Sequence, residues 1–227
     1  MMQYIIMCGG KYDAWETPRQ LIEIDGEPIV MRTIRLLRNA GAEDIAISSN
    51  DDRFEACGVP LLRHDNGFVV HQDDVEGTWA DAFYPSDDPV CYIFGDVVFS
   101  PEAIETIVNT ETDTIQFFAS APPFDPRYFK PWAEPFAFKV VDQQAFQEAV
   151  EFVRQNSRAA FFDRLPISWE LWQVIRHKPF NEIDHTSYIA INDYTCDIDS
   201  PEDIRRISEA LNGNNDPCMP VSDVVCE

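Results

Sequence analysis

Basic residues are scarce in this chain: 17 Lys and Arg stand against 40 Asp and Glu, a formal charge of −23. Nucleic acid and anionic membrane surfaces need a basic partner face, so both are excluded as main partners. Long apolar runs are absent as well. None approaches the roughly 18 residues that a bilayer-spanning helix requires, which argues against membrane insertion. The opening Met1-Met2-Gln3-Tyr4-Ile5-Ile6-Met7 carries no basic flank and runs into a glycine pair, so it does not read as a secretion signal. The six cysteines (Cys8, Cys57, Cys91, Cys196, Cys218, Cys226) form no C-x-x-C pair, and three lie in strand-like runs where a thiol packs as a small hydrophobe. The expectation is a cytoplasmic protein with reduced thiols, without a disulfide framework or a zinc site. His64, His71, His177 and His185 share no ligand-like spacing and read as structural or surface residues.

What the chain does have is alternation. Residues 4–8, 45–48, 90–94 and 114–118 are rich in Ile, Val, Tyr and Phe, as buried strands are. Between the first two, residues 28–40 place Val30, Ile34 and Leu37 on one helical face, with Gly41 as the stop. Ser100-Pro101-Glu102 and Ser200-Pro201-Glu202 each open a helix: serine as N-cap, proline at the first position, an acid in the first turn. Their apolar stripes are Ile104, Ile107 and Val108 in one, Ile204, Ile207 and Leu211 in the other. Such alternation predicts an α/β fold, a mostly parallel sheet covered by helices on both faces. Past residue 120 the pattern changes. Residues 121–135 are rich in Pro and aromatics and read as a loop; 136–141 read as a strand, and 167–176 as a helix. Asp142 caps a helix carrying Phe146, Ala149, Val150 and Val153. The expected organisation is one domain over 1–211, with 120–190 an inserted subregion feeding back into the same sheet and 212–227 a mobile tail.

Three places could carry chemistry. Cys8-Gly9-Gly10-Lys11 follows the first strand, and Arg19 follows shortly after. Paired glycines let backbone N–H groups approach a phosphate, which Lys11 and Arg19 could neutralise, yet a tight turn with two incidental cations fits equally. Neither the Walker A nor the dinucleotide spacing is present. Asp96, in Phe94-Gly95-Asp96, ends a buried strand where open α/β sheets bind ligands, although such an aspartate can simply brace its turn. Asp197 and Asp199 alternate in extended chain just before a helix start, so both carboxylates project on one side. Hard oxygen donors of this kind suit Mg²⁺; capping of the helix is the competing role.

Taken in order, these elements resemble the nucleotidyltransferase superfamily of sugar-phosphate pyrophosphorylases, with a GT-A-like, Rossmann-like fold. Beyond the glycine loop, the resemblance lies in Pro18-Arg19-Gln20-Leu21 for a Pro-Lys-x-Leu element and in Asp25-Gly26-Glu27-Pro28-Ile29 for the glycine hairpin. It continues with Ala40-Gly41-Ala42-Glu43-Asp44-Ile45, with Gly77-Thr78 for the base-recognition segment, with Gly95-Asp96, and with Asp199 before Ser200-Pro201-Glu202-Asp203. The chain departs from the pattern in two places. The loop arginine is replaced by the region Asp13-Ala14-Trp15, and the lysine of Pro-Lys-x-Leu appears as Arg19, which keeps the charge but changes the geometry.

The resemblance implies Mg²⁺-dependent transfer of a nucleoside monophosphate from a nucleoside triphosphate to a phosphorylated sugar or alcohol, releasing pyrophosphate. It implies Arg19 and Lys11 as catalytic residues on the triphosphate, and Cys8, Gly9, Gly10, Gly77 and Thr78 as nucleotide-binding residues. Asp96, Asp199 and Asp197 are the implied metal ligands. Lys130 and Glu134 lie where members of the family bind the acceptor. Of the aromatic residues Phe124, Tyr128, Phe129, Trp132, Trp169 and Trp172, most read as core; any that line the acceptor pocket would stack on a sugar or hold a quaternary ammonium. Two alternatives remain in view: a GT-A glycosyltransferase consuming a nucleotide sugar, and a nucleotide-binding regulator that has lost catalysis.

Overall fold

A computed structural model describes residues 1–12, 15–64, 69–70, 75–76, 79–121, 133–156, 168–179 and 182–212. The alternating pattern resolves into a seven-stranded sheet. Its strands in chain order are β1 (Gln3–Met7), β2 (Asp44–Ser48), β3 (Leu61–Leu62), β4 (Val90–Phe94), β5 (Ile115–Ser120), β6 (Pro135–Val140) and β7 (Ile189–Ile191). Their spatial order is β7-β5-β6-β4-β1-β2-β3. Every neighbouring pair is parallel except the two made by β6, which runs against both β4 and β5. The sheet is therefore mixed, with one reversed strand.

All five residues of β4 are buried, as a central strand covered on both faces requires. Among the described residues five α-helices accompany the sheet: α1 (Ile29–Asn39), α2 (Pro101–Asn109), α3 (Gln143–Asn156), α4 (Ser168–Ile175) and α5 (Pro201–Leu211). The alternation of side chains along β6 assigns their layers. Phe138 meets Phe146 of α3 at 5.8 Å between ring centroids, and Tyr92 of β4 stacks on the same ring at 5.5 Å. The next residue, Lys139, points to the opposite face, where its Nζ donates to the carbonyls of Val108 (2.9 Å) and Thr110 (2.8 Å) at the end of α2. A cation there complements the negative end of the helix. α1 packs with α2, and α4 with α3. Trp169 and Trp172 of α4 are buried and meet Phe117 of β5 edge-on and tilted, so both serve the core.

The helix starts form as their caps dictate. Ser100 Oγ accepts from Ala103 N at 2.9 Å, and Asp142 Oδ1 accepts from Ala145 N at 3.0 Å. Ser200 and Asp203 complete a reciprocal capping box on α5. Gly41 closes α1 at φ 93°, a conformation a side chain resists. Asp25 and Gly26 turn a two-residue hairpin between Glu23–Ile24 and Glu27–Pro28 with positive φ at both. From residue 120 on, the chain supplies the end of β5, β6 and β7 to the same sheet. Strand boundaries shift by a residue or so; the last long strand starts at Pro135 rather than 136 and ends at Val140. Most of the expected loop, and residues 213–227 of the expected tail, lie outside the described residues. No described helix is long and apolar enough to cross a membrane.

Candidate active site

In an open parallel sheet the ligand crevice lies past the strand C-termini, where the chain switches direction. Here the chain runs from β1 outward to β2 and β3, then crosses to β4 on the other side of β1. The switch point thus falls between β1, which leads into Cys8-Gly9-Gly10, and β4, which leads into Gly95-Asp96. The reversed strand β6 adds to the same edge from its other end. Because it runs backwards, its first turn, not its last, opens onto the crevice, and that turn carries Glu134. Two hydrogen bonds fix it there: Ser120 N to Glu134 O, and Glu134 N to Ser120 Oγ, both 2.8 Å.

A short antiparallel ribbon closes the site. Val97 and Val98 pair with Asp197 and Cys196, and Ile198 N donates to Asp96 O at 3.0 Å. Residues about a hundred positions apart in the chain, Asp96 and Asp199, are thereby held on one crevice. Asp203 accepts from Asp199 N (3.1 Å) and Ser200 N (2.8 Å), so the capping box of α5 also anchors the backbone of Asp199.

Between the two aspartates lies Arg19. Its Nη2 sits 2.5 Å from Asp96 Oδ2, and its Nη1 sits 2.9 Å from Asp199 Oδ1 and donates to Ile198 O at 2.7 Å. The guanidinium side chain is only 6% exposed, whereas Asp199 is half exposed, so the arginine is buried and the carboxylate faces solvent. Arg19 opens a 3₁₀ turn (Arg19–Leu21) whose neighbour Gln20 is also buried. That turn fits because position 95 has no side chain. A Cβ on Gly95 would lie 2.4 Å from Met7 O, 2.9 Å from Cys8 Sγ and 3.1 Å from Gln20 Cγ.

Carboxylate oxygens of Glu134, Asp197 and Asp199 can lie within 4.8 Å of one another. The trio differs from the expected ligand set: Glu134, expected on the acceptor, joins Asp197 and Asp199, while Asp96 is engaged by Arg19. Gly10 adopts φ 86°, which the loop path requires of a glycine. Cys8 is buried, and burial first, then the charges of Asp96 and Cys57, push its thiol well up, which disfavours the thiolate. Cys57 and Cys91 are likewise buried free thiols, and the buried Cys196 Sγ donates to Asp197 O at 3.2 Å. Lys11 is described in its backbone alone, in a two-residue strand pairing with Val69 and Val70. Gly77, Thr78, Lys130 and the replaced loop region at Asp13 and Ala14 lie outside the described residues.

A family model for the MobA-like NTP transferase domain matches residues 4–122, just over half of the chain. The chain belongs to that family. The match takes in the glycine loop, Arg19 and Asp96; Glu134, Asp197 and Asp199 come from the remainder. A search of curated proteins gives no match. Among solved structures, one assigned as a glucose-1-phosphate thymidylyltransferase from Bacillus anthracis, in complex with a sucrose, aligns over 98% of this chain and 98% of its own. Its TM-score is 0.57 at 15% identity, a likeness of fold. The fold is thus that of a nucleotidyltransferase, and the family's chemistry is nucleotidyl transfer. Glu134, expected on the acceptor side, reaches the site because a strand antiparallel to its neighbours brings its N-terminal flank to the ligand edge.

Proposed function

We propose that the protein is a Mg²⁺-dependent nucleotidyltransferase that moves a nucleoside monophosphate from a nucleoside triphosphate onto a small phosphorylated acceptor. The observation that carries this reading is the convergence of Arg19, Asp96, Asp197, Asp199 and Glu134 at the switch point of a MobA-like NTP transferase fold. The likeness to a thymidylyltransferase fold is consistent with a sugar phosphate as acceptor.

The donor set fits the cation. Carboxylates are hard oxygen ligands, which suit Mg²⁺, and phosphate and water complete its shell. Asp197, Asp199 and Glu134 would hold it, with Asp96 beside them. When bound, Mg²⁺ would screen the repulsion between two phosphates and the charge that builds on the transferring group. The protein's own residues do the rest. Backbone N–H groups of Gly9 and Gly10, with Lys11, would cradle the triphosphate, and Arg19 would stabilise the charge that grows on it. Gly77 and Thr78 would border the base, and Lys130 would face the acceptor phosphate. An oxygen of the acceptor phosphate attacks the α-phosphorus, the bond from that phosphorus to the β-bridging oxygen breaks, and pyrophosphate leaves. The attacking oxygen is already an anion, so no strong general base is required of the site, and positioning dominates.

Pyrophosphate release from each of the four common NTPs, with a panel of phosphorylated sugars and alcohols, tests the reading. Release that depends on a phosphorylated acceptor is the expected result. Turnover of a nucleotide sugar without pyrophosphate would instead indicate glycosyl transfer, and tight nucleotide binding without turnover a regulator.

A further inference from the structure

The cation at the centre of the carboxylate cluster is supplied by the protein. Arg19 reaches two carboxylates and one carbonyl with a single fork: Asp96, Asp199 and Ile198 O. Asp199 therefore stands in two sets at once. Its Oδ1 receives Nη1 of Arg19, and its carboxylate also belongs to the trio with Asp197 and Glu134. A guanidinium within 3 Å of that carboxylate competes with any second cation, by repulsion and by occupying lone pairs. We propose that Arg19 is the resident counter-ion of this cluster and withholds Asp199 from metal until a triphosphate draws the guanidinium away, so that nucleotide and metal load together.

Three features support such an exchange. First, the exit faces the crevice: the Asp96 and Asp199 side chains are 23% and 50% exposed, although Arg19 itself is buried. Phosphate oxygens offer the guanidinium the same planar, two-point contacts that it makes to carboxylates. Second, Asp199 cannot follow the arginine out. Its backbone N–H is held by Asp203, whose carboxylate also caps α5 through Ser200. Third, the residue type matters. A lysine ammonium is a compact point charge on a flexible stem, whereas the fork of arginine spans Asp96 and Asp199 together. The Arg19 that departs from the Pro-Lys-x-Leu pattern is the form that makes the lock.

This inference rests on the metal part of the reading above, and its test reads metal binding without turnover. Mn²⁺ affinity is measured on the full-length protein by calorimetry and electron paramagnetic resonance, with no nucleotide present, for wild type, Arg19→Gln, Arg19→Lys and the double variant Arg19→Gln/Asp96→Asn. The double variant removes one charge of each sign and guards against misfolding of the single one; circular dichroism verifies the fold of each. The expected result is Mn²⁺ binding at least tenfold tighter in Arg19→Gln and in the double variant than in wild type, with Arg19→Lys in between. Folded Arg19→Gln and double variants that bind Mn²⁺ no more tightly than wild type would overturn the proposal, and active pyrophosphate release would then leave the transferase reading standing. Absence of Mn²⁺ binding in all four proteins would overturn the lock and the metal site together. Tighter binding in the variants, together with no pyrophosphate release by wild type with any nucleotide and acceptor, would support the lock and remove the reaction.

Discussion

At the scale of single residues, Arg19 and Gly95 carry the most specific expectations. Arg19→Ala should lower kcat/KM by roughly a hundredfold or more, the loss of about 3 kcal/mol that removing one preorganised donor produces in other active sites. Arg19→Lys should recover part of it, keeping charge without the two-point geometry. Steady-state rates equal to wild type would take Arg19 out of the site. Gly95→Ala acts differently, on stability: its Cβ would meet Met7 O at 2.4 Å, and backbone yields poorly. A loss of about 3 kcal/mol in urea unfolding is expected, the upper range of overpacking costs. The types and order of Asp96, Asp197, Asp199 and Arg19 are legible in the sequence; their pairing is not. Whether a buried arginine contacts phosphate or carboxylate depends on which acids the tertiary fold places within 3 Å, and the ribbon between Val97–Val98 and Cys196–Asp197 decides that.

Among the elements, the helix starts were the most legible, since serine, proline and an acid at successive positions act locally and need no tertiary information. The capping box of α5 turns that local rule into a functional one, because Asp203 also holds Asp199 N. Ser200→Ala should cost about 1 kcal/mol of stability by thermal unfolding. It should also weaken Mn²⁺ binding, an effect absent from Ser100→Ala, where the cap touches no site carboxylate. β6 shows why the acceptor side was less legible: strand direction within a sheet is a long-range property, and it alone explains why Glu134 reaches the crevice. The junction of α4 with the segment before β7 makes a pH prediction. His185, though an exposed residue, packs edge-on against Trp169 at 4.5 Å, and the partial desolvation of its ring lowers its pKa from 6.5 against the opposing pull of Asp184 and Glu170. The unfolded chain therefore takes up the proton first, so stability is lost as pH falls below about 6.5. His185→Gln should flatten the decline of the thermal midpoint between about pH 7 and pH 5.5; an unchanged slope would show that His185 does not contribute.

On the scale of the whole molecule, we expect residues 1–211 to fold as a unit. Deleting 214–227 should move the thermal midpoint by no more than a few degrees, a cost of at most about 0.5 kcal/mol for a terminal segment whose sequence has no apolar periodicity. A large drop would show that the tail docks. The account's central claim is that Asp96 and Asp199, brought together by the ribbon and α5 and bridged by Arg19, work as one centre, with Asp199 joining Asp197 and Glu134 on the metal. Its most direct measurement is turnover of Asp96→Asn, Asp199→Asn and the double variant, in Mg²⁺ and after EDTA treatment. Residues that act as a unit are not additive: each single variant should lose most activity, about a hundredfold or more, and the double variant should be scarcely worse. Folding should survive in all three. If Asp199→Asn keeps wild-type metal dependence, Asp197 and Glu134 hold the metal without it; if both single variants remain active, the metal-dependent transferase account is wrong.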